Sequence, residues 1–171
     1  ALQGTIIGLQ KFATILRDIA VKGPVVGKQS VFGWGLNLAS VLNGPGRDSA
    51  QMQLTYGEGL FRYSNDDFSN NDAAFDNKGD LEAIPYFGGM AGYTHHWAEK
   101  FRSTASYGYV HLDNTASQQG DSYHLTHYAS ANLIYQFHQR LSFGLEGLYG
   151  FKETKDGSDN GVYRVQMGIA Y

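Results

Sequence analysis

Residues 163–171 read YRVQMGIAY. Tyr163, Val165, Met167, Ile169 and Tyr171 are apolar or aromatic, and Arg164, Gln166, Gly168 and Ala170 lie between them. A period of two places alternate side chains on opposite faces of an extended strand. One face is large and apolar, the other small or polar. Working back toward the N-terminus, the same alternation recurs. Leu141, Phe143, Leu145, Gly147, Tyr149 and Phe151 alternate with Ser142, Gly144, Glu146, Leu148, Gly150 and Lys152. Ala129, Ala131, Leu133, Tyr135 and Phe137 form another apolar series. Further strands are expected around Ala105–Tyr109, Phe87–Trp97, Ala50–Tyr56 and Phe32–Leu42. Phe12–Val21 reads as a strand with two mixed faces, so its register stays open, and no amphipathic helix appears.

About eight strands result, near the 9–11 residues of a tilted membrane-spanning strand. The expected connections alternate in length. Residues 22–30, 57–80, 112–121 and 153–160 read as longer loops, and 43–48, 96–100 and 138–140 as turns. Short turns on one rim and longer loops on the other are the pattern of a bacterial outer-membrane barrel. That phase puts both chain ends on the short-turn, periplasmic rim. The expected fold class is therefore all-β, an antiparallel transmembrane β-barrel forming one domain over residues 1–171.

Composition fits this reading. The chain has 171 residues, of which 42% are hydrophobic, 14% aromatic and only 17% charged, with 22 Gly, 12 Tyr and no Cys. A disulfide scaffold and a Cys-based zinc module are excluded. Plentiful aromatics and a net charge of −3 argue against disorder. A sequence pI of about 6.0 gives nucleic acid no electrostatic foothold. Mean hydropathy is −0.35 and no apolar run approaches a membrane helix. A barrel strand shows apolar residues to lipid only at every second position, so it escapes that test. Tyr and Phe gather toward the strand ends, as an interfacial aromatic girdle requires.

The polar face cannot form a dry core and is expected to line water. Arg102, Arg164, Lys152, Glu146 and Glu82 fall on it by parity, together with one of the neighbours Arg17 and Asp18, taken as Arg17. Basic residues in a pore favour anions and acidic ones favour cations, so this set has a slight basic lean. The 57–80 loop carries Glu58, Asp66, Asp67, Asp72, Asp76 and Asp80 against Arg62 and Lys78. It could constrict a pore, cover a neighbouring subunit, bind divalent cations, or be a solvated surface loop. Asp156, Ser158, Asn160 and Gly161 loosely match the start of a calcium loop. The twelfth position is Met167 rather than Glu, so a hairpin turn explains them better. His95 and His96 should face opposite sides, and His124 and His127 likewise, so no metal site is expected. No nucleophile-elbow motif is present, and neither a catalytic residue nor a cofactor is expected.

Three segments carry a resemblance: VFGWGLNLASVLNGPGRDSAQMQLTYGEGLFRYSND, YFGGMAGYTHHWAEKFRSTASYGYVHLDN and the closing GVYRVQMGIAY. They resemble the C-terminal half of the DcaP-like family of Gram-negative outer-membrane porins. The resemblance implies a trimeric porin in outer-membrane lipid, passing small solutes with a preference for anions such as dicarboxylates. It also implies that Tyr163, Val165, Met167, Ile169 and Tyr171 form the C-terminal signal read by the barrel assembly machinery. Family members have about twice as many strands, so the chain is expected to be part of a larger barrel. The alternative is a small closed barrel with a structural or surface-binding role, its interior filled by side chains. A membrane-barrel enzyme is a third possibility, to be recognised by Ser, His and an acid on one face.

Overall fold

The structure is a computed structural model and describes residues 8–23, 27–63 and 72–171. Among these residues ten strands follow one another: β1 (Gly8–Gly23), β2 (Gly27–Asn43), β3 (Ser49–Glu58), β4 (Ala73–Phe75), β5 (Leu81–Ala83), β6 (Pro85–Ala98), β7 (Phe101–Leu112), β8 (Tyr123–His138), β9 (Leu141–Thr154) and β10 (Asp159–Ala170). A 3-10 turn spans Phe61–Tyr63. Eight strands make one sheet in the order β1-β2-β3-β6-β7-β8-β9-β10, and β4 pairs only with β5. Every neighbouring pair is antiparallel. The eight expected wall strands are all present, whereas the β4–β5 hairpin was hidden in the long loop.

Closure differs from the expectation. The sheet is open, since β1 and β10 end the order and are not paired with each other. Among the described residues no small closed barrel is formed.

Two loops shrink. β1 runs to Gly23, paired with Gly27 of β2, so ladder replaces most of the loop expected at 22–30. β9 and β10 leave only residues 155–158 between them. There Gly157 takes a φ of 81°, Thr154 N donates to Ser158 O, and Asp156 Oδ1 accepts from Thr154 Oγ1 and Ser158 N. These side-chain-to-backbone bonds make a hairpin turn, as expected over a calcium loop. The difference between rims therefore rests on 59–84 and 113–122, against 44–48, 99–100 and 139–140.

Register settles the faces. Tyr163 pairs with Tyr149, which pairs with Ala129, and the row continues through Tyr107, Ala91 and Met52. On this face large apolar side chains stand exposed on every wall strand, among them Phe12, Leu16, Leu36, Leu54, Tyr93, Tyr107, Leu133, Leu145 and Val165. Phe143 and Phe151 bracket Leu145 and Gly147 on β9, eight residues apart. That is about 27 Å of strand, or about 20 Å of height at the usual barrel tilt, close to an apolar band of about 25 Å. Cross-strand ring contacts reinforce both ends. Phe101 stacks on Tyr135 at 4.6 Å, and His127 lies 5.7 Å from Phe151.

Against expectation, the polar face carries the hydrophobic core. Leu60, Phe61, Ile84, Tyr86, Val110, Leu112 and Tyr123 form its buried cluster. Tyr86, Val110 and Leu112 are wall residues on the polar-face register, while Leu60, Phe61 and Ile84 come from the 59–84 insertion. The lower rows of this face mix small polar side chains with a few apolar ones such as Ile134 and Leu148, and the buried apolar cluster forms where the insertion lands.

Near the short-turn rim, Asp48 locks the β2–β3 turn to β6. Its Oδ1 accepts from His96 N at 2.8 Å, and its Oδ2 meets Tyr93 Oη at 2.7 Å and His95 Nδ1 at 2.6 Å. The backbone bond from His96, then those from Tyr93 and His95, hold the Asp48 carboxyl well below the usual carboxylate range. His95 and His96 lie on opposite faces, yet both rings approach this one carboxylate, His96 Nδ1 at 3.8 Å.

Candidate functional site

The polar face is built from two parts, a ladder of small polar side chains and an insertion folded over it. In the lower ladder Ser49, Thr94, Thr104, Asn132, Glu146 and Gln166 occupy one continuous row across six strands. They satisfy one another. Thr94 and Thr104 hydroxyls meet at 2.9 Å, Asn132 Oδ1 accepts from Thr104 N at 3.0 Å, and Gln166 Nε2 donates to Glu146. Higher up, the Ser106 and Ser130 hydroxyls meet at 2.6 Å, and Asn37 Nδ2 donates to Thr55 Oγ1 at 2.6 Å. Cross-strand hydroxyl and amide pairs stabilise a sheet while leaving spare lone pairs and protons for water.

The expected cations stand on this wall. Arg102 aligns with Ile134, Arg164 with Leu148 and Ser130, and Lys152 with Thr126. Read along β8 they recur every four residues, about 13 Å of strand per step. All three are exposed. Lys152 Nζ also lies 5.3 Å from the Tyr123 ring centre. Glu146 is on the wall and hydrogen-bonded to Gln166. Glu82 is not on the wall, because it belongs to β5, which among the described residues forms a separate two-stranded sheet with β4. The parity count placed it there by carrying the strand period into a segment outside the sheet.

The first strand resolves the choice between Arg17 and Asp18. Arg17 pairs with Gly33 on the polar face, and Asp18 pairs with Phe32 on the apolar face. Arg17 Nη1 donates to Gly59 O and to Asp72 Oδ2, each at 3.0 Å. Arg62 donates to the same carboxylate through its backbone N at 3.0 Å and its Nε at 2.5 Å. Asp72 is 3% exposed, whereas the Arg62 side chain is 54% exposed. Two guanidinium groups on one buried carboxylate leave the cluster with net charge +1.

The insertion is tied within itself and fastened to neighbouring elements at three further places. Gly59 N donates to Ile84 O and Ile84 N to Asp72 O. Gln29 of β2 donates to Gly79 O and accepts from Leu81 N. Thr115 Oγ1 reaches Phe75 O. Leu60 seats against Gly35, where a Cβ would stand 2.3 Å from its Cδ1, and Gly59 adopts a φ of 70°. Only glycine fits such positions without rearrangement. The described part of the acidic loop therefore folds over the polar face of the sheet. Asp66 and Asp67 lie outside the described residues. Asp76 serves its own turn, accepting from Asp80 N and Lys78 N, which holds its carboxyl below the ordinary range.

Between the insertion and the wall lies a cavity of about 530 Å³, lined by Ile15, Leu60, Tyr63, Tyr86, Met90 and Val110 among others. The Arg17 guanidinium carbon lies 5.7 Å from the Tyr63 ring centre.

The histidine expectation needs one correction. His111 and His124 come within 4.8 Å, ring centre to ring centre, because the β8–β9 ladder shifts register between Tyr123 and Leu125. His124 Nδ1 is held by Asn114 Oδ1 at 2.7 Å. No group of three or more His, Cys, Asp or Glu with metal-binding geometry occurs among the described residues. Tyr163, Val165, Met167 and Ile169 stand exposed on the apolar face of β10, and Tyr171 follows the strand. Sequence reasoning missed the clamp and the apolar anchors. The available signal was the run Leu60–Phe61 and the lone Ile84 at the two ends of a polar loop.

No protein-family model matches the sequence, and no curated protein matches it. Among solved structures, the chain is similar to the crystal structure of the outer membrane channel DcaP of Acinetobacter baumannii, at 19% identity and a TM-score of 0.78. The match covers 96% of this chain and 46% of that one, so the chain spans about half the length of the channel it resembles. Over that half the two share a fold, and the part of the expectation observed is the all-β antiparallel sheet of eight strands.

Proposed function

We propose that this chain is part of a porin-like channel of the bacterial outer membrane, through which small hydrophilic solutes diffuse passively. One observation carries the reading: the large hydrophobic side chains stand exposed on one face, and the opposite face is a hydrogen-bonded polar ladder with cations. In water the first face would be unstable, whereas in lipid it is the stable arrangement. The likeness of fold to a known channel supports it. The free edges of β1 and β10 cannot face lipid unpaired, so the working pore needs further strands to close it. The short-turn rim is periplasmic and the insertion constricts the pore from the other side. β10 serves as the assembly signal, and the assembled channel is a homotrimer. No covalent chemistry is involved.

Arg102, Arg164 and Lys152 bias the pore toward anions, dicarboxylates included, with Arg17 and Arg62 at the constriction adding one net charge. The test is conductance of the full-length protein in planar bilayers under a salt gradient. The expected reversal potential is anion-selective and moves toward cations when Arg102, Arg164 and Lys152 are replaced by Gln. Absence of channels overturns the porin reading. A selectivity unmoved by the three replacements overturns the assignment of those residues.

A further inference from the structure

The apolar face carries an open groove of about 380 Å³ where small side chains meet on β3, β6 and β7. Ala50, Ala91 and Ala105 line it together with Leu42, Met52 and Tyr107, all on the apolar register. The row between them, Gln51, Gly92 and Ser106, also contributes. Tyr93 lines it as well and joins it to the short-turn rim, because its hydroxyl donates to Asp48 Oδ2 at 2.7 Å. The β2–β3 ladder ends at Asn43 and Ser49, and Ser49 pairs with Thr94. At this point the rim is one row below Tyr93, so the groove leads from the rim into the apolar band.

The rim end has its own chemistry. His95 and Trp97 follow Tyr93 along β6, the Tyr93 and His95 rings stacked at 6.3 Å and His95 meeting Trp97 edge-on at 4.3 Å. Trp97 Nε1 donates to Ser103 Oγ at 2.9 Å, and the residue is 66% exposed. Among the described residues Asp48 is bonded by the His96 N–H, the Tyr93 hydroxyl and the His95 ring, and no lysine or arginine neutralises it. Three bonds leave about one of its four lone-pair positions open. A free carboxylate position beside Tyr and Trp rings suits an ammonium group, which is drawn to ring faces and donates to carboxylates.

We infer that the groove and this rim cluster seat one phospholipid with a primary ammonium headgroup, of the phosphatidylethanolamine class, an acyl chain lying along Ala50, Ala91 and Ala105 and the ammonium donating to Asp48. The inference rests on the reading of this face as lipid-facing and adds a specific partner to it. In a bilayer every lipid offers an acyl chain, so the groove fixes position and Asp48 selects the headgroup. An anionic headgroup meets a carboxylate of its own sign, and a choline headgroup has the charge but no N–H to donate. A soluble amine gains nothing from the groove.

The test uses the full-length protein in detergent micelles. It is titrated with phosphatidylethanolamine, phosphatidylcholine and phosphatidylglycerol of identical acyl chains, and bound lipid is counted by native mass spectrometry. Phosphatidylethanolamine is expected to be retained about tenfold better than either of the others, the worth of one hydrogen bond to a charged group. Asp48→Asn is expected to abolish the preference. Ala91→Phe fills the groove from an exposed position with Asp48 intact, and is expected to weaken phosphatidylethanolamine severalfold. Leu145→Phe, on the same face three strands away, is expected to change nothing. Equal retention of the three lipids, or a preference that either Asp48→Asn or Ala91→Phe leaves intact, overturns the inference. Channels that conduct yet show no headgroup preference overturn this site alone, whereas absence of channels in the bilayer experiment overturns the reading beneath it.

Discussion

Replacing Asp72 by Asn tests what holds the insertion inside the wall. The carboxylate is 3% exposed and bridges Arg17, whose side chain is 14% exposed, to Arg62, which is 54% exposed. The Arg62 pair is screened by solvent and contributes about 0–1 kcal/mol. Arg17 is different. Without Asp72 its charge stays largely buried with Gly59 O as its acceptor, and breaking a buried pair by removing one partner costs about 3–5 kcal/mol. The partial exposure of Arg17 argues for the lower end, about 3 kcal/mol, or on the order of a hundredfold in an opening equilibrium. The insertion keeps Leu60, Phe61 and Ile84, each fixed by about 1.5–3 kcal/mol of burial, so it loosens without leaving. Hydrogen exchange read by mass spectrometry is the assay. Amide protection in 59–63 and 72–84, where Gly59 N and Ile84 N are bonded, is expected to fall by about a hundredfold. Peptides from β7 to β9 should be unchanged. Equal protection of the insertion in both proteins refutes the clamp, and a matching loss across β7 to β9 refutes its independence from the wall.

Other perturbations probe the remaining parts. Ala131→Arg or Val165→Arg, in the row of Gly147 midway between Phe143 and Phe151, should destabilise the protein in lipid by about 2–4 kcal/mol in urea titrations, whereas Ser130→Arg on the opposite face should cost far less. Gly35→Ala drives a methyl into Leu60, and the expected loss is about 1–3 kcal/mol, seen as earlier proteolysis of the insertion. Asp48 has its carboxyl pKa depressed in the folded protein, so its stabilisation is present above the ordinary carboxylate pKa of about 4 and is lost as pH falls through the depressed value. Acidification below about pH 4 should therefore loosen the 44–48 turn, as judged by exchange at His96 N, and Asp48→Asn should remove that pH dependence.

The wall was readable because its two faces obey a period of two, and that period survives in nearly every row of the sheet. β10 shows it most clearly, with no apolar residue displaced between Tyr163 and Tyr171. β1 was unreadable for a physical reason. Ile15, Ile19 and Val21 are apolar on the polar face because the insertion lands near them, so its alternation is blurred from both sides. Glu82 and Asp72 failed differently. Parity says nothing once the chain leaves the ladder, and an Asp in a polar loop looks the same whether it meets water or two arginines. The His111–His124 approach depends on a register shift, which no alternation pattern announces.

The buried cluster that holds the insertion has a consequence for how the molecule answers to its surroundings. In the proposed channel the wall would be held by a contrast between lipid and protein, while Phe61, Ile84 and Leu60 are held by a contrast between water and protein. The two contrasts respond to different variables. Bilayer thickness and acyl composition should move the wall and leave the insertion alone. Cooling and dilute urea should weaken the insertion first, because water-driven burial fades with both. In the proposed channel the pore would then widen before the wall unfolds, and its aperture would act as a thermometer of the water it contains.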